Sequence, residues 1–405
     1  MDVWSKELGE SLAQRRRDGL YRQRQILESA QGVNVALNGR CYLNFSSNDY
    51  LGLANHPQVV EAFSKAAKQF GVGSGASHLV VGHQRPHAEL EEYIAEITGR
   101  ERALLFSSGY MANLGVVRAL VAKGDVIFQD KLNHASLIDA GLSSGAKQYR
   151  YQHNSLNHLQ VLLNKHQGSA VEERDKRSRQ MLAVDGVFSM DGDVAPLDHL
   201  AKIAQENQMG LMVDDAHGFG VLGETGCGIA EHFGLDQHQL PILMATLGKA
   251  MGVAGAFVAG SEVLIETLIQ QARSYIYTTA LPAACAAAAK KALEVSKVET
   301  QRREHLHQLR KYFTQGLNSS GITVSESISA IQPIIVGSGE KALAISQSLY
   351  DDGIHVAAIR SPTVPLGTER LRIALSASHS KSDIDRLIDA LTSALRQFAP
   401  ELIRG

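Results

Sequence analysis

Six short apolar runs, set apart by helix-length segments, constrain this chain more than any other feature. They are Ala103-Leu104-Leu105-Phe106, Asp125-Val126-Ile127-Phe128, Met181-Leu182-Ala183-Val184, Gly210-Leu211-Met212-Val213, Ile242-Leu243-Met244-Ala245 and Gly255-Ala256-Phe257-Val258. Runs this short, with few polar residues inside, suit strands buried on both faces, and helical connections make the sheet mainly parallel. The fold class is therefore α/β: a large domain with a mainly parallel central sheet flanked by helices, placed at residues 56–290. Before it, residues 1–55 form an N-terminal segment of helix and strand, expected to be helical to about residue 40. After it, residues 291–405 read as a smaller α+β domain, following a helix from 283 to about 313. Strands are expected there at 322–324, 331–336, 354–359 and 371–374. Ile384, Leu387, Ile388, Leu391 and Leu395 mark a closing amphipathic helix with Ser382 as its N-cap.

Composition narrows the function. The chain has 405 residues, 44% of them apolar, with 40 Lys+Arg against 42 Asp+Glu. That apolar fraction supports a packed core, and balanced charge argues against nucleic acid or an acidic membrane as the main partner. No apolar stretch reaches the roughly 18 residues of a membrane span, and the N-terminus has no signal-peptide pattern. Cys41, Cys227 and Cys285 are odd in number and widely spaced, which fits a reducing cytoplasm with neither a disulfide framework nor a metal-ligand grouping. The charge run at 172–179 reads as an exposed loop or helix end.

Ligands collect at the carboxyl ends of the strands in an open parallel sheet, so the residues after each run are informative. Ser107-Ser108-Gly109-Tyr110-Met111-Ala112-Asn113 follows the first run. Small residues at a strand-to-helix junction leave backbone N–H groups free for an anion such as phosphate, although a plain tight turn explains them equally well. Asp214-Asp215-Ala216-His217-Gly218 follows the fourth. Two carboxylates at the end of a buried strand are unfavourable without a partner; helix capping or an ion pair accounts for one Asp, not for the group. Lys249, in Thr246-Leu247-Gly248-Lys249-Ala250-Met251-Gly252, follows the fifth run directly. Desolvation there lowers the amine pKa and makes it nucleophilic, as Schiff-base chemistry requires. Gly71-Val72-Gly73-Ser74-Gly75-Ala76 matches a dinucleotide pattern, but a helix precedes it and Ser77-His78-Leu79-Val80-Val81-Gly82 does not open one, so the needed context is missing. An anion cup, an Asp/His pair, a stacking candidate in Asn133-His134-Ala135-Ser136 and a buried lysine together suit pyridoxal 5′-phosphate (PLP).

Longer motifs carry a family resemblance. They are Asn44-Phe45-Ser46-Ser47-Asn48-Asp49-Tyr50-Leu51-Gly52-Leu53, residues 106–113, Asn133-His134-Ala135-Ser136, Gly186-Val187-Phe188-Ser189-Met190-Asp191-Gly192-Asp193, residues 213–218, residues 246–250 and Ile359-Arg360-Ser361-Pro362-Thr363-Val364-Pro365. In this order they resemble the α-oxoamine synthase family of fold-type-I PLP-dependent transferases, across nearly the whole chain. The resemblance implies that Lys249 holds the cofactor and moves the substrate α-proton, that Asp214 pairs with the pyridinium nitrogen, and that His134 stacks on the ring. It implies that His217 and Ser189 contact the ring hydroxyl. Gly109, Tyr110 and Thr246 would hold the phosphate, with Thr278 and Thr279 reaching from a second subunit of a homodimer. Arg360 and Asn48 would grip the substrate carboxylate, Arg22 would line the acyl-chain entrance, and Thr363 would also contact the substrate. No metal is implied. Ser361 stands where relatives often carry a second Pro, and His78 where many carry Arg.

The activity implied is a decarboxylative condensation of L-alanine with a pimeloyl thioester, carried by CoA or by a carrier protein. Glycine with acetyl-CoA is the nearest alternative within the family. A non-catalytic scaffold is the rival from another class, and the presence of Lys249, Asp214 and His134 together speaks against it.

Overall fold

The computed structural model describes residues 3–169, 178–325 and 327–403; most of the charge run at 172–179 falls outside them. The first helix, Val3–Arg17, stops well short of residue 40. Gly19 adopts φ 67° and the Leu20 N–H donates to Arg15 O at 2.8 Å, a left-handed ending of the kind that terminates helices at glycine. Beyond it β1 (Asn34–Leu37) and β2 (Arg40–Asn44) form a hairpin. Its two turn residues, Asn38 and Gly39, both take positive φ (51° and 73°), which matches the right-handed twist of the strands.

The central sheet holds seven strands: β3 (Arg102–Phe106), β4 (Val126–Asp130), β5 (Lys147–Tyr151), β6 (Gln180–Asp185), β7 (Gly210–Asp214), β8 (Ile242–Thr246) and β9 (Ala256–Gly260). Their order is β3-β9-β8-β7-β6-β4-β5. All neighbours are parallel except the pairs made by β9, which runs antiparallel to β3 and β8. Each of the six apolar runs forms one of these strands. The seventh, β5, reads Lys-Gln-Tyr-Arg-Tyr and escapes the apolar criterion because only Tyr151 of its five residues is buried, whereas β3, at the opposite edge, is buried along most of its length.

Helices cover both faces and divide the core between them. One face packs Leu105, Phe128, Leu182, Val184 and Phe257; the other packs Leu104, Ile127, Ala183, Met212 and Val258. That division follows from the two-residue period of a strand. The glycine-rich segment follows helix Pro57–Phe70 and leads into a single five-residue π-helical turn, His78–Gly82, so one helical turn does form there, but no strand precedes it.

The C-terminal region carries β10 (Ile331–Ile335), β11 (Ile354–His355), β12 (Ala357–Ile359) and β13 (Arg370–Ala374). β10, β13 and β12 make an antiparallel sheet, whereas β11 runs parallel to β2 and joins the N-terminal hairpin. The expected strand at 322–324 reduces to one antiparallel bridge between Ile322 and Ile403. The helical stretch from 283 divides into Ala283–Val298 and Gln301–Ser319. Helix Lys381–Phe398 buries Ile384, Leu387, Ile388, Leu391 and Leu395, each worth roughly 1.5–3 kcal/mol. Its N-cap is Ser380 and not Ser382: the Ser380 hydroxyl accepts from Asp383 N at 3.2 Å, and the Asp383 carboxylate returns to Ser380 N at 2.7 Å. No described helix is long and apolar enough to cross a membrane.

Candidate active site

The carboxyl ends of β6, β7 and β8 and the start of helix Gly109–Leu120 enclose one cleft of about 540 Å³. It is lined by Gly109, Tyr110, His134, Ser136, Asp185, Val187, Ser189, Asp214, Ala216, His217, Met244, Thr246 and Lys249. Residues from five separate motifs thus meet in one place.

Lys249 anchors the floor. Its Nζ lies 2.7 Å from His217 Nε2, and His217 Nδ1 lies 2.7 Å from the Tyr50 hydroxyl. That hydroxyl donates to Asn48 Oδ1 at 3.0 Å, while Arg372 donates to Asn48 Oδ1 at 3.1 Å and to the Tyr50 oxygen at 3.3 Å. The chain of bonds assigns the tautomer: Nε2 accepts from the lysine and Nδ1–H donates to the tyrosine oxygen. Burial, with Lys249 and Arg372 close by, pushes His217 well below the usual histidine range, so the ring is neutral. Burial also pushes the Lys249 amine down to about 8, against the opposing pull of Asp214 and Asp185.

Asp214 is held on its far side. Asn113 Nδ2 donates to Asp214 Oδ2 at 2.7 Å and Ala216 N–H donates to Oδ1 at 3.0 Å. Asp215 has a different task. Its Oδ2 accepts from Ile229 N–H at 2.7 Å, and a Cβ on Gly228 would stand 1.9 Å from the same oxygen. Asp215 therefore fixes the turn behind the site, as the structural reading of one of the two carboxylates anticipated. Asp185, paired in register with Asp214, is a third carboxylate. It is buried, and burial raises its pKa well above the usual value. Its Oδ2 accepts from His134 N–H at 2.9 Å, while Oδ1 has no partner among the described residues. His134 lines the cleft beside it, its Nδ1 2.7 Å from the Ser136 hydroxyl. Burial lowers its pKa.

PLP fits this cleft. Gly109 and Tyr110 occupy the first two positions of a twelve-residue helix whose N-terminus lines the cavity. Their N–H groups lack intrahelical acceptors, which suits a phosphate. Thr246 stands beside them, its hydroxyl donating to Gly255 O at 3.0 Å. A carboxylate, a lysine of lowered pKa and an imidazole line the same space.

Other expected residues lie outside the cleft. Arg360 donates to Gly19 O, and Arg22 donates to the Thr363 hydroxyl at 3.4 Å. Asn48 reaches the site through Tyr50 and Arg372. Thr278 and Thr279 follow helix Arg273–Ile276 and do not line the cleft of their own chain. Sequence reasoning missed Asp185, Asn113, Tyr50 and Arg372. The rule applied to the other strands, to inspect the residue after the run, finds Asp185; Arg372 is a charge inside a fully buried strand, which is itself a signal.

Three histidines also converge away from the cleft. His78, His83 and His87 bring ring nitrogens within 4.8 Å of one another, a grouping invisible in the sequence reading. His87 engages both its nitrogens, with Gln84 N–H and Leu281 O.

A family model described as aminotransferase class I and II matches residues 40–391, and the chain belongs to this family of fold-type-I, PLP-dependent transferases. The particular relatives are 8-amino-7-oxononanoate synthases. Those of Cellvibrio japonicus and Pseudomonas aeruginosa are 54% and 55% identical, each over 98% of this chain and 97% of their own. Among solved structures, a serine palmitoyltransferase from S. paucimobilis with bound PLP matches with a TM-score of 0.90 at 28% identity, over 99% of this chain and 100% of that one. An 8-amino-7-oxononanoate synthase from Francisella tularensis matches with a TM-score of 0.74 at 31% identity, over 88% and 98%.

Proposed function

We propose that this chain condenses L-alanine with a pimeloyl thioester, releasing CO₂, the free thiol and 8-amino-7-oxononanoate, a step of biotin biosynthesis. The observation that carries the reading is the Lys249 amine, held 2.7 Å from a neutral His217 and brought down to about 8 in a cleft with a carboxylate and a helix N-terminus. Bound there, PLP supplies an aldehyde that captures the amino acid and a ring that accepts the electrons left when its α-proton departs.

The protein's own groups divide the remaining work. Lys249 would hold the cofactor, and its amine, partly unprotonated near neutral pH, would take the α-proton; such proton transfer is worth about 10²–10⁴-fold. Asp214, fixed by Asn113, would pair with the ring nitrogen and keep it protonated, and His134 would stack on the ring. His217 and Ser189 address the ring hydroxyl, and the Tyr50–Asn48–Arg372 network holds His217 in the required tautomer. The N–H groups of Gly109 and Tyr110, with Thr246, hold the phosphate, joined by Thr278 and Thr279 of a second copy of the chain in a homodimer. Arg360 and Asn48 grip the alanine carboxylate, which requires Arg360 to leave Gly19 O. Arg22 and Thr363 bound the acyl-chain entrance. Three free cysteines and an even charge balance support a cytoplasmic setting.

The test is a substrate panel on the PLP-loaded protein, following thiol release and product mass. Alanine with pimeloyl-CoA is expected to outpace glycine with acetyl-CoA and serine with a long acyl-CoA. A preference for either other pair overturns the reading.

A further inference from the structure

A second, larger cavity of about 1380 Å³ opens directly off the cleft, with His134 and Ser189 belonging to the walls of both. Leu132, Ile138, Phe188 and Val364 contribute apolar side chains to its lining. Its wall also carries two cations, Lys131 and Arg150. Lys131 directly follows β4, and Arg150 sits in β5 opposite Gln129. The Arg150 guanidinium donates to the Lys131 backbone carbonyl at 2.6 Å, which holds it beside that residue's main chain. Among the described residues neither cation has a carboxylate partner. The one acid in this wall, Asp191, is already neutralised by the buried Arg370 guanidinium. The cavity therefore adjoins the cleft at His134 and Ser189 and combines apolar side chains with positive charge that no carboxylate among the described residues matches.

That pattern complements a particular ligand: a polymethylene chain with a carboxylate at its far end. A plain fatty acyl chain gains nothing from the two cations. We infer that Lys131 and Arg150 bind the terminal carboxylate of a dicarboxylic acyl thioester and so select a half-thioester of a dicarboxylic acid over a monocarboxylic chain of equal length. The inference rests on the acyl-transfer reading above. Leu132, Ile138, Phe188 and Val364 hold the methylene groups, and the thioester carbon lies at the His134 end, where the two cavities meet.

The test compares pimeloyl-CoA with heptanoyl-CoA, which has the same chain length and no terminal carboxylate, using PLP-loaded parent, Lys131→Gln, Arg150→Gln and the double variant. In the parent, kcat/KM favours the pimeloyl donor. Each substitution is expected to cut that preference about tenfold or more, as loss of a hydrogen bond to a charged group does. The change falls in KM for the pimeloyl donor and leaves the cofactor absorbance spectrum on adding alanine unaltered. Conservative Lys131→Arg restores part of the preference.

The CoA phosphates are a second anion that these cations could meet, so the panel is repeated with pimeloyl and heptanoyl N-acetylcysteamine thioesters, which carry no phosphate. Retention of the same selectivity loss supports the carboxylate site. An equal loss for both acyl chains on CoA, absent on the cysteamine donors, overturns it in favour of phosphate contacts. An unchanged preference in all variants overturns it outright. Failure of the parent to use any acyl thioester with alanine refutes the proposed function instead.

Discussion

Two histidines near the strand ends, His217 and His153, meet opposite fates. His217 faces Lys249 and, through Tyr50, Arg372; burial and these cations push its pKa well below the ordinary value. His153 lies between carboxylates, with Nδ1 3.1 Å from Asp130 and Nε2 2.8 Å from Asp193. Burial works against its charged form as well, yet the two carboxylates win and raise it to about 10. One ring is neutral and can share a proton with the lysine at physiological pH. The other is a fixed cation that ties the end of β4 to the loop around Asp193. The lesson is that burial alone does not set a histidine's role; the sign of the charges packed against it does.

The comparison can be broken at several points. Lys249→Ala removes the group that His217 serves; turnover of alanine with pimeloyl-CoA is expected to fall by about 10⁴-fold or more, with the circular dichroism spectrum of the parent. Retained activity would refute the assigned role. A paired experiment comes next. His217→Gln should lower kcat by about 10²-fold with little change in Tm. His153→Gln should keep kcat near the parent value while lowering stability by about 1–3 kcal/mol, read by urea denaturation. Interchanged results would sink the distinction between the two rings.

The smallest effect is a pH dependence. The His153 pKa is raised in the folded protein, so its stabilisation is complete below the unfolded value near 6.5 and is lost as pH climbs toward about 10. The parent's Tm should therefore decline over that interval more steeply than that of His153→Gln. Parallel curves would show that Asp130 and Asp193 do not hold the proton.

Much of this was legible in the residue order. The six apolar runs mark six strands because burial on both faces leaves little room for polar residues. Residues following those runs give Asp214, His217 and Lys249 because the carboxyl end of a parallel strand is where the backbone stops pairing and side chains become free to meet a ligand. Edge strand β5 was not legible, since a half-wet strand has no apolar signature. The Ser380 cap was misplaced by two residues: both serines precede the same apolar face, and only the reciprocal bond with Asp383 separates them.

The amino-acid order alone therefore determined the α/β class, the sheet's content and the lysine, aspartate and histidine that the site is built on. Each of these depends on periodicity within one element or on the residue at its end. Tertiary structure decided what those groups become. Tyr50 and Arg372, from opposite ends of the chain, converge on His217 and settle its proton, while Asp130 and Asp193 close around His153 and settle the opposite. Electrostatic energy depends on distance through space, and separation along the chain carries no record of it.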